Sequence, residues 1–252
     1  MPDTRPAPRN PVIIIPSRMG STRLPNKPLA DILGDPMIVH VWRRAMESKI
    51  GKVVVACDAR EIAAVVEKTG GQAVLTKPEH PSGSDRIWEA LNALEGNTTY
   101  DAVINVQGDE PALDPSCIRK AFDLLQNPAV DIGTLAAVIK DEKKKTMNQV
   151  AKAVIDAKPG AAQGRALYFS RLPAPSGEGV MHHHIGLYAY RRDALARFVA
   201  APPSPLEQRE KLEQLRALAL GMHIEVGIVD AVPLGVDTPE DLEEVRKVLE
   251  KK

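Results

Sequence analysis

Two acidic positions in this 252-residue chain invite chemistry. Asp109 stands in INVQGDEP, directly after the apolar run Asp101–Gln107, so it is expected where a buried strand ends. Gly108 beside it lets backbone approach a ligand closely. A carboxylate in that position can hold Mg²⁺, which takes oxygen ligands and often shares one or two carboxylates with substrate phosphates. The alternative is a turn with a helix-capping acid, but Asp114 already caps the helix expected from Pro115, which leaves Asp109 and Glu110 without that duty. Asp237 stands in GVDTPEDL. Thr238 as N-cap, Pro239 at the first helical position, and Glu240 and Asp241 at the positive helix end account for the rest of that stretch and leave Asp237 over.

A complementary basic stretch lies near the start. Val12–Ile15 reads as a short buried strand, and Pro16 ends it. The loop Ser17–Lys27 then carries Arg18, Arg23 and Lys27 with Gly20, Ser21 and Thr22 among them. Cations, small residues and free backbone N–H groups at the C-terminal edge of a first strand suit a polyphosphate; a merely solvated basic loop is the other reading. The loop is no P-loop, since no Gly-Lys-Ser/Thr closes it, and G-x-G-x-x-G is absent. Farther on, Ser82, Gly83 and Ser84 open a helix expected over about 85–94, whose N-terminus can hold an anion or a base edge, or can simply be capped by Ser82 or Ser84. His182, His183 and His184 lack metal-site spacing and have no cysteine nearby. On a strand, His182 and His184 share one face.

The elements that position these residues follow from periodicity. Met37, Ile38, Val41, Trp42, Ala45 and Met46 form a helical stripe. Lys52–Cys57 is a strand, about 59–69 a helix closed by Gly70-Gly71, and Gln72–Leu75 a strand. The order β-α-β-α-β predicts a parallel sheet with right-handed crossovers. Ile132–Ile139, Val150–Asp156, Ala166–Arg171, Ile185–Tyr190 and Ile224–Val229 read as further strands, and Leu206–Leu220 reads as one helix. Lys140–Asn148 reads as a solvated charged turn rather than a nucleic-acid patch.

Composition narrows the function. Lys plus Arg and Asp plus Glu are both 33, so the net charge of zero argues against a nucleic-acid partner or an acidic membrane surface. No apolar run approaches the ~20 residues of a membrane helix, so no membrane insertion is expected. Cys57 and Cys117 read as buried free thiols of a reducing compartment. The proline-rich start, expected to be flexible over residues 1–10, has no apolar core of a signal peptide, and a cytoplasmic location is expected.

RMGSTRLPNKPL, INVQGDEP, HIGLY, EQLR and GVDTPEDL together resemble the 3-deoxy-manno-octulosonate (Kdo) cytidylyltransferase family, over nearly the whole chain from Val12 to Leu249. The resemblance implies an α/β, three-layer nucleotidyltransferase fold, like that of nucleotide-diphospho-sugar transferases, with a mostly parallel central sheet and a smaller lobe. It implies a single cytidylyltransferase domain over 1–252, with a sugar-binding and dimerisation lobe at roughly 130–220, and a homodimer. The implied reaction joins CTP and Kdo to give CMP-Kdo and pyrophosphate for lipopolysaccharide biosynthesis. Arg18, Ser21, Thr22, Arg23, Lys27, Ser82, Gly83, Ser84, Arg86 and Gln107 would bind the nucleotide, with Arg23 and Lys27 also catalytic. Asp109 and Asp237 would hold the Mg²⁺ cofactor, and a second Mg²⁺ could ride on the triphosphate. Arg171, His184, Tyr188, Glu213 and Gln214 would hold the sugar acid. Three rivals stand beside this reading: a cytidylyltransferase for another acidic sugar such as a sialic acid or an amino analogue of Kdo, a glycosyltransferase, and an inactive nucleotide-binding protein. A glycosyltransferase usually carries Asp-x-Asp, whereas Asp109-Glu110 stands here, and an inactive protein would have no reason to keep Arg23, Lys27, Asp109 and Asp237 together.

Overall fold

The computed structural model describes residues 5–94 and 100–251. The chain divides into two compact units, Arg9–Arg119 with Pro233–Lys252 and Met1–Pro8 with Lys120–Val232. The lobe expected over roughly 130–220 falls within the second.

In the first unit, strand β1 (Pro11–Ser17) leads through the basic loop to a hairpin of β2 (Asp31–Ile32) and β3 (Asp35–Pro36). Helix α1 (Met37–Glu47), β4 (Lys52–Cys57), α2 (Arg60–Lys68), β5 (Gln72–Leu75), α3 (Gly83–Ala93) and β6 (Ala102–Asn105) follow. The strands lie in the order β5-β4-β1-β6, and every pair is parallel, as the β-α-β-α-β pattern requires. Val12–Ile15 are fully buried, which a parallel strand covered on both faces demands. On α1 the apolar stripe is buried at Met37, Ile38, Val41 and Ala45; Met46 is exposed and Val39 is buried instead, so the packed face is turned toward Val39. Cys57 and Cys117 are buried free thiols. The expected strand over 101–107 ends at Asn105, which leaves Val106–Asp109 free to turn across the end of β1.

The second unit opens within α4 (Pro115–Asp123), which starts beside Asp114 as expected, with the Asp114 carboxylate accepting from Ser116 N–H at 2.8 Å. It continues through β7 (Ile132–Val138), α5 (Glu142–Thr146), β8 (Lys152–Asp156), β9 (Gln163–Ser170), β10 (His182–Arg191), α6 (Arg192–Ala200), α7 (Pro205–Glu210), α8 (Gln214–Ala219) and β11 (Ile224–Val229). β7 and β11 are parallel, while β10–β7, β11–β9 and β8–β9 are antiparallel, so the parallel habit of the first unit does not extend here. The charged stretch after β7 is not only a turn: Asp141 caps α5 through Lys143 N–H at 2.9 Å.

The single helix expected over Leu206–Leu220 is two. Lys211, at φ 56, ends α7 in the left-handed region, and Leu212 turns into the core. Arg216 then reaches back to Glu207 with Nε–Oε2 at 2.9 Å and Nη2–Oε1 at 2.6 Å. In one continuous helix these residues would stand roughly 13 Å apart along the axis, at 1.5 Å per residue. Residues 5–10, where fraying is expected, are tied down: Arg5 Nη1 meets Asp131 at 2.8 Å, and the N–H groups of Arg9 and Asn10 bond the Asp101 carboxylate. Residues 1–4 lie outside the described residues.

Helix α9 (Pro239–Leu249) returns to the first unit. Thr238 and Asp241 form its capping box, and Leu242 and Val245 pack with Ile32, Met37 and Val236 in one core cluster. No helix among the described residues is long and apolar enough to cross a membrane.

Gly108 shows how tightly β1 and the turn after β6 fit, because a Cβ there would lie 2.7 Å from the Pro16 carbonyl oxygen. Backbone cannot give way as a flexible side chain can, so Gly108→Ala is expected to destabilise the protein by about 1–3 kcal/mol. A urea unfolding curve with an unchanged midpoint would refute this.

Candidate active site

In the first unit a cavity of about 680 Å³ opens between the β1 loop, the segment before α3 and the turn after β6. Arg18, Ser21, Thr22, Arg23, Lys27, Ser82, Gly83, Arg86, Gln107, Asp109 and Asp237 all line it. Ser84 does not: it is buried, 2% exposed, one residue inside α3. The helix cap is Ser82, whose Oγ accepts from Asp85 N–H. Pro16, Pro28, His80 and Pro81 line the cavity without having been singled out in the sequence. His80 had a usable signal, its place just before Pro81-Ser82-Gly83, and its ring meets the Glu89 carboxylate from the next turns of α3.

Asp109 and Asp237 converge. Lys27 Nζ donates to Asp109 Oδ2 at 2.7 Å, to Asp237 Oδ1 at 3.1 Å and to the Val236 carbonyl at 3.0 Å. A merely solvated loop would leave this lysine in water, but the Lys27 side chain is only 16% exposed, with its ammonium between the two acids. Burial lowers its pKa, and the two carboxylates more than offset that, so the net shift is upward and the amine stays charged. Arg23 Nη2 adds a contact to Asp237 Oδ2 at 3.0 Å, between two well-exposed side chains. Asp109 stands in the turn just after β6, whereas Asp237 lies well beyond the end of β11. It is placed by the α9 cap, since Asp241 Oδ2 accepts from the N–H groups of Asp237 and Thr238, both at 2.9 Å, and by Val236 N–H donating to the Asp109 carbonyl.

The neighbouring acid behaves differently. Glu110 Oε2 is buried without a hydrogen-bond partner, and burial, helped by Asp109, pushes its pKa up to about 8. It is therefore largely a neutral acid near pH 7, while the Asp109 carboxyl faces the Lys27 ammonium. Two aspartate side chains that already share one cation offer oxygen donors of the hard kind that Mg²⁺ prefers. Among the described residues no cluster of three or more His, Cys, Asp or Glu side chains forms a metal site, and the three histidines are no exception.

The second unit gathers the other predicted set. His184 lies in β10, 8% exposed, with Nε2 3.1 Å from Thr134 Oγ1 and Nδ1 3.4 Å from Gln214 Nε2. Phe169 meets its ring edge-on at 4.8 Å, and Tyr188 lies 5.5 Å away. Burial, with help from His183 and Arg171, brings the His184 pKa down to about 3, so the imidazole is neutral. Burial, with Tyr190 and Glu213 nearby, holds the Tyr188 hydroxyl well above its usual value, so it remains a phenol. Arg171, one residue past β9, is fixed by Glu210: its N–H meets Oε2 at 2.8 Å and its Nε the carbonyl at 3.2 Å. Nη2 donates to the Lys211 carbonyl at 3.1 Å, so the break between α7 and α8 is what presents carbonyls to this guanidinium. Glu213 and Gln214 stand at the start of α8. The unit thus presents neutral ring groups, an amide and one cation together, a set able to read hydroxyls and a carboxylate.

Residues 12–224 match a family model described as Cytidylyltransferase. The 3-deoxy-manno-octulosonate cytidylyltransferase of Rhodospirillum centenum is 60% identical over 244 residues, 97% of this chain and 95% of its own length. That of Parvibaculum lavamentivorans is 60% identical over 240 residues, 95% of this chain and 93% of its own. The solved structure of a CMP:2-keto-3-deoxy-manno-octonic acid synthetase complexed with CTP superposes with a TM-score of 0.89 at 38% identity, covering 96% of this chain and 99% of that one. A 4-diphosphocytidyl-2C-methyl-D-erythritol synthase from Anaerococcus prevotii shares the fold alone, with a TM-score of 0.63 at 12% identity over 96% of this chain and 99% of that one. With a family model over residues 12–224 and relatives this similar end to end, the chain belongs to the 3-deoxy-manno-octulosonate cytidylyltransferase family.

Proposed function

We propose that this protein transfers CMP from CTP to the anomeric hydroxyl of Kdo, releasing pyrophosphate, with Mg²⁺ as cofactor, as a cytoplasmic homodimer serving lipopolysaccharide biosynthesis. The observation that carries the reading is the convergence of Asp109, Asp237, Lys27 and Arg23 on the wall of one cavity. Arg18, Arg23 and Lys27 bind and neutralise the triphosphate and the departing pyrophosphate, where fixed cations act most strongly on developing charge. Asp109 and Asp237 would hold the metal. The chemistry a bound Mg²⁺ supplies is Lewis-acid activation of the attacking hydroxyl and neutralisation of phosphate charge. Arg171 would face the sugar carboxylate, while His184, Tyr188, Glu213 and Gln214 orient the hydroxyls. No residue needs to form a covalent intermediate, since attack by the sugar hydroxyl completes the transfer in one displacement. The test is pyrophosphate release with CTP, Mg²⁺ and Kdo, run against other nucleotides and a panel of sugar acids; release only with a different acid would reassign the substrate.

Arg23 is 65% exposed, so Arg23→Ala should leave the unfolding midpoint in place while turnover falls on the order of 10²-fold through lost charge stabilisation. Lys27→Ala should lower turnover similarly but also lower stability, because two carboxylates lose their shared cation. Wild-type turnover in both variants would refute the loop's role.

Activity should vanish with chelator and return with divalent metal. Asp237→Asn should lose Mn²⁺ binding, read by electron paramagnetic resonance with CTP present, while CTP itself still binds. Unchanged Mn²⁺ affinity in that variant would remove Asp237 from the metal site.

His184 sets a pH dependence of stability. Its folded pKa of about 3 lies below the ordinary histidine value of 6.5, so the unfolded chain binds the extra proton and stability is lost as pH falls from about 6.5 toward 3. At pH 5.5 the linkage amounts to about 1 kcal/mol. Urea unfolding at pH 7.5 and 5.5 should therefore show a smaller drop for His184→Gln than for the wild type; equal drops would contradict a buried neutral imidazole.

A further inference from the structure

We propose that Asp58 is the positioning residue of the phosphate loop, holding it through the Met19 amide and held in turn by Arg86. The inference rests on the reading of the first-unit cavity as the CTP site.

Asp58 follows β4 directly and precedes α2, where an aspartate would ordinarily cap a helix. It does not do so: the cap position is Ala59, without any side-chain cap. Asp58 Oδ1 instead accepts from Met19 N–H at 3.0 Å, across 39 residues of chain. The side chain is 12% exposed and does not line the cavity. A carboxylate close to a triphosphate loop would repel the ligand unless its charge were met, and it is met from inside by Arg86 Nη2 at 3.8 Å.

This changes the role of Arg86. The resemblance places it among the nucleotide ligands, and it does reach the cavity wall. Yet it is 3% exposed, and its guanidinium is committed elsewhere: Nη1 donates to Thr76 Oγ1 at 2.6 Å and Nη2 to the Pro78 carbonyl at 3.5 Å. Thr76 in turn donates from Oγ1 and from its backbone N–H to the Cys57 carbonyl, the last residue of β4. Arg86 is the counterion of Asp58 and the strut of the segment before α3, rather than a group that grips phosphate. Met19 is also the right residue to pin, because its carbonyl accepts from Ser21 N–H at 2.8 Å, so fixing Met19 fixes the turn that carries Gly20, Ser21 and Thr22. A loop held in its binding geometry before the ligand arrives loses less freedom on binding.

The test is calorimetric titration of CTP into the full-length protein, with steady-state KM for CTP and for Kdo measured beside it. Asp58→Ala should weaken CTP binding about tenfold, the loss expected for a charge-assisted hydrogen bond, while KM for Kdo stays within about twofold. Asp58→Asn, which keeps an oxygen acceptor for the Met19 amide, should recover most of the affinity. Should Asp58→Ala fail to fold, Asp58→Ser, too short to reach Met19, carries the same expectation. CTP affinity in the Ala or Ser variant equal to wild type, or an Asn variant as weak as Ala, overturns the proposal. Failure of the wild type to bind CTP at all would instead overturn the nucleotide reading beneath it.

Discussion

Two carboxylates of like charge cannot be held side by side without a cation, and that constraint organises the first unit. Asp109 comes from the end of β6 and Asp237 from the approach to α9, and both meet the ammonium of Lys27. Each of the three needs its own support. The β1 loop bends inward so that Lys27 reaches the acids, the parallel sheet ends Asp109's strand at the right edge, and the α9 capping box fixes the backbone of Asp237. Burial, with Asp109 beside it, is what keeps a proton on Glu110, one residue away.

The second unit gathers a different set of groups, around a buried histidine rather than a shared cation. Its histidine is desolvated to neutrality and wedged between Phe169, Thr134 and Gln214, which suits hydrogen bonding to hydroxyls and rules out service as a cation. Beside it, Arg171 has little freedom left: its backbone N–H meets the Glu210 carboxylate, and its Nε and Nη2 donate to the Glu210 and Lys211 carbonyls.

Much of this was legible in the residues. The β5-β4-β1-β6 order follows from apolar runs alternating with helical stripes, and Asp109 and Asp237 stand out because neighbouring residues already account for the helix caps. What was hidden depended on tertiary contacts. Nothing in LEQREKLEQLRALAL marks Lys211 for the left-handed region; its stripe is helical throughout, and the break is set by Leu212 entering the core and Arg216 reaching Glu207. The direction of Lys27 was equally hidden, since a lysine in a basic loop reads as solvated until two distant acids are found around it. Arg86 looks like a ligand in SGSDR, and nothing in that motif signals that its guanidinium also meets Thr76 and Asp58.

The return of the C-terminal helix to the first unit has a temporal consequence. Lys27 and Asp237 are 210 residues apart, and the segment carrying Asp237 packs on Ile32 and Met37 near the start of the chain. During synthesis, which proceeds at about 5–20 residues per second with N-terminal parts folding first, the parallel sheet can assemble long before its second carboxylate has been made. At that stage Lys27 and Asp109 can already have met, and the Asp237 carboxylate joins them only once the segment before α9 has been made. A chain that stops short of α9 lacks the helix cap that sets the Asp237 backbone in place.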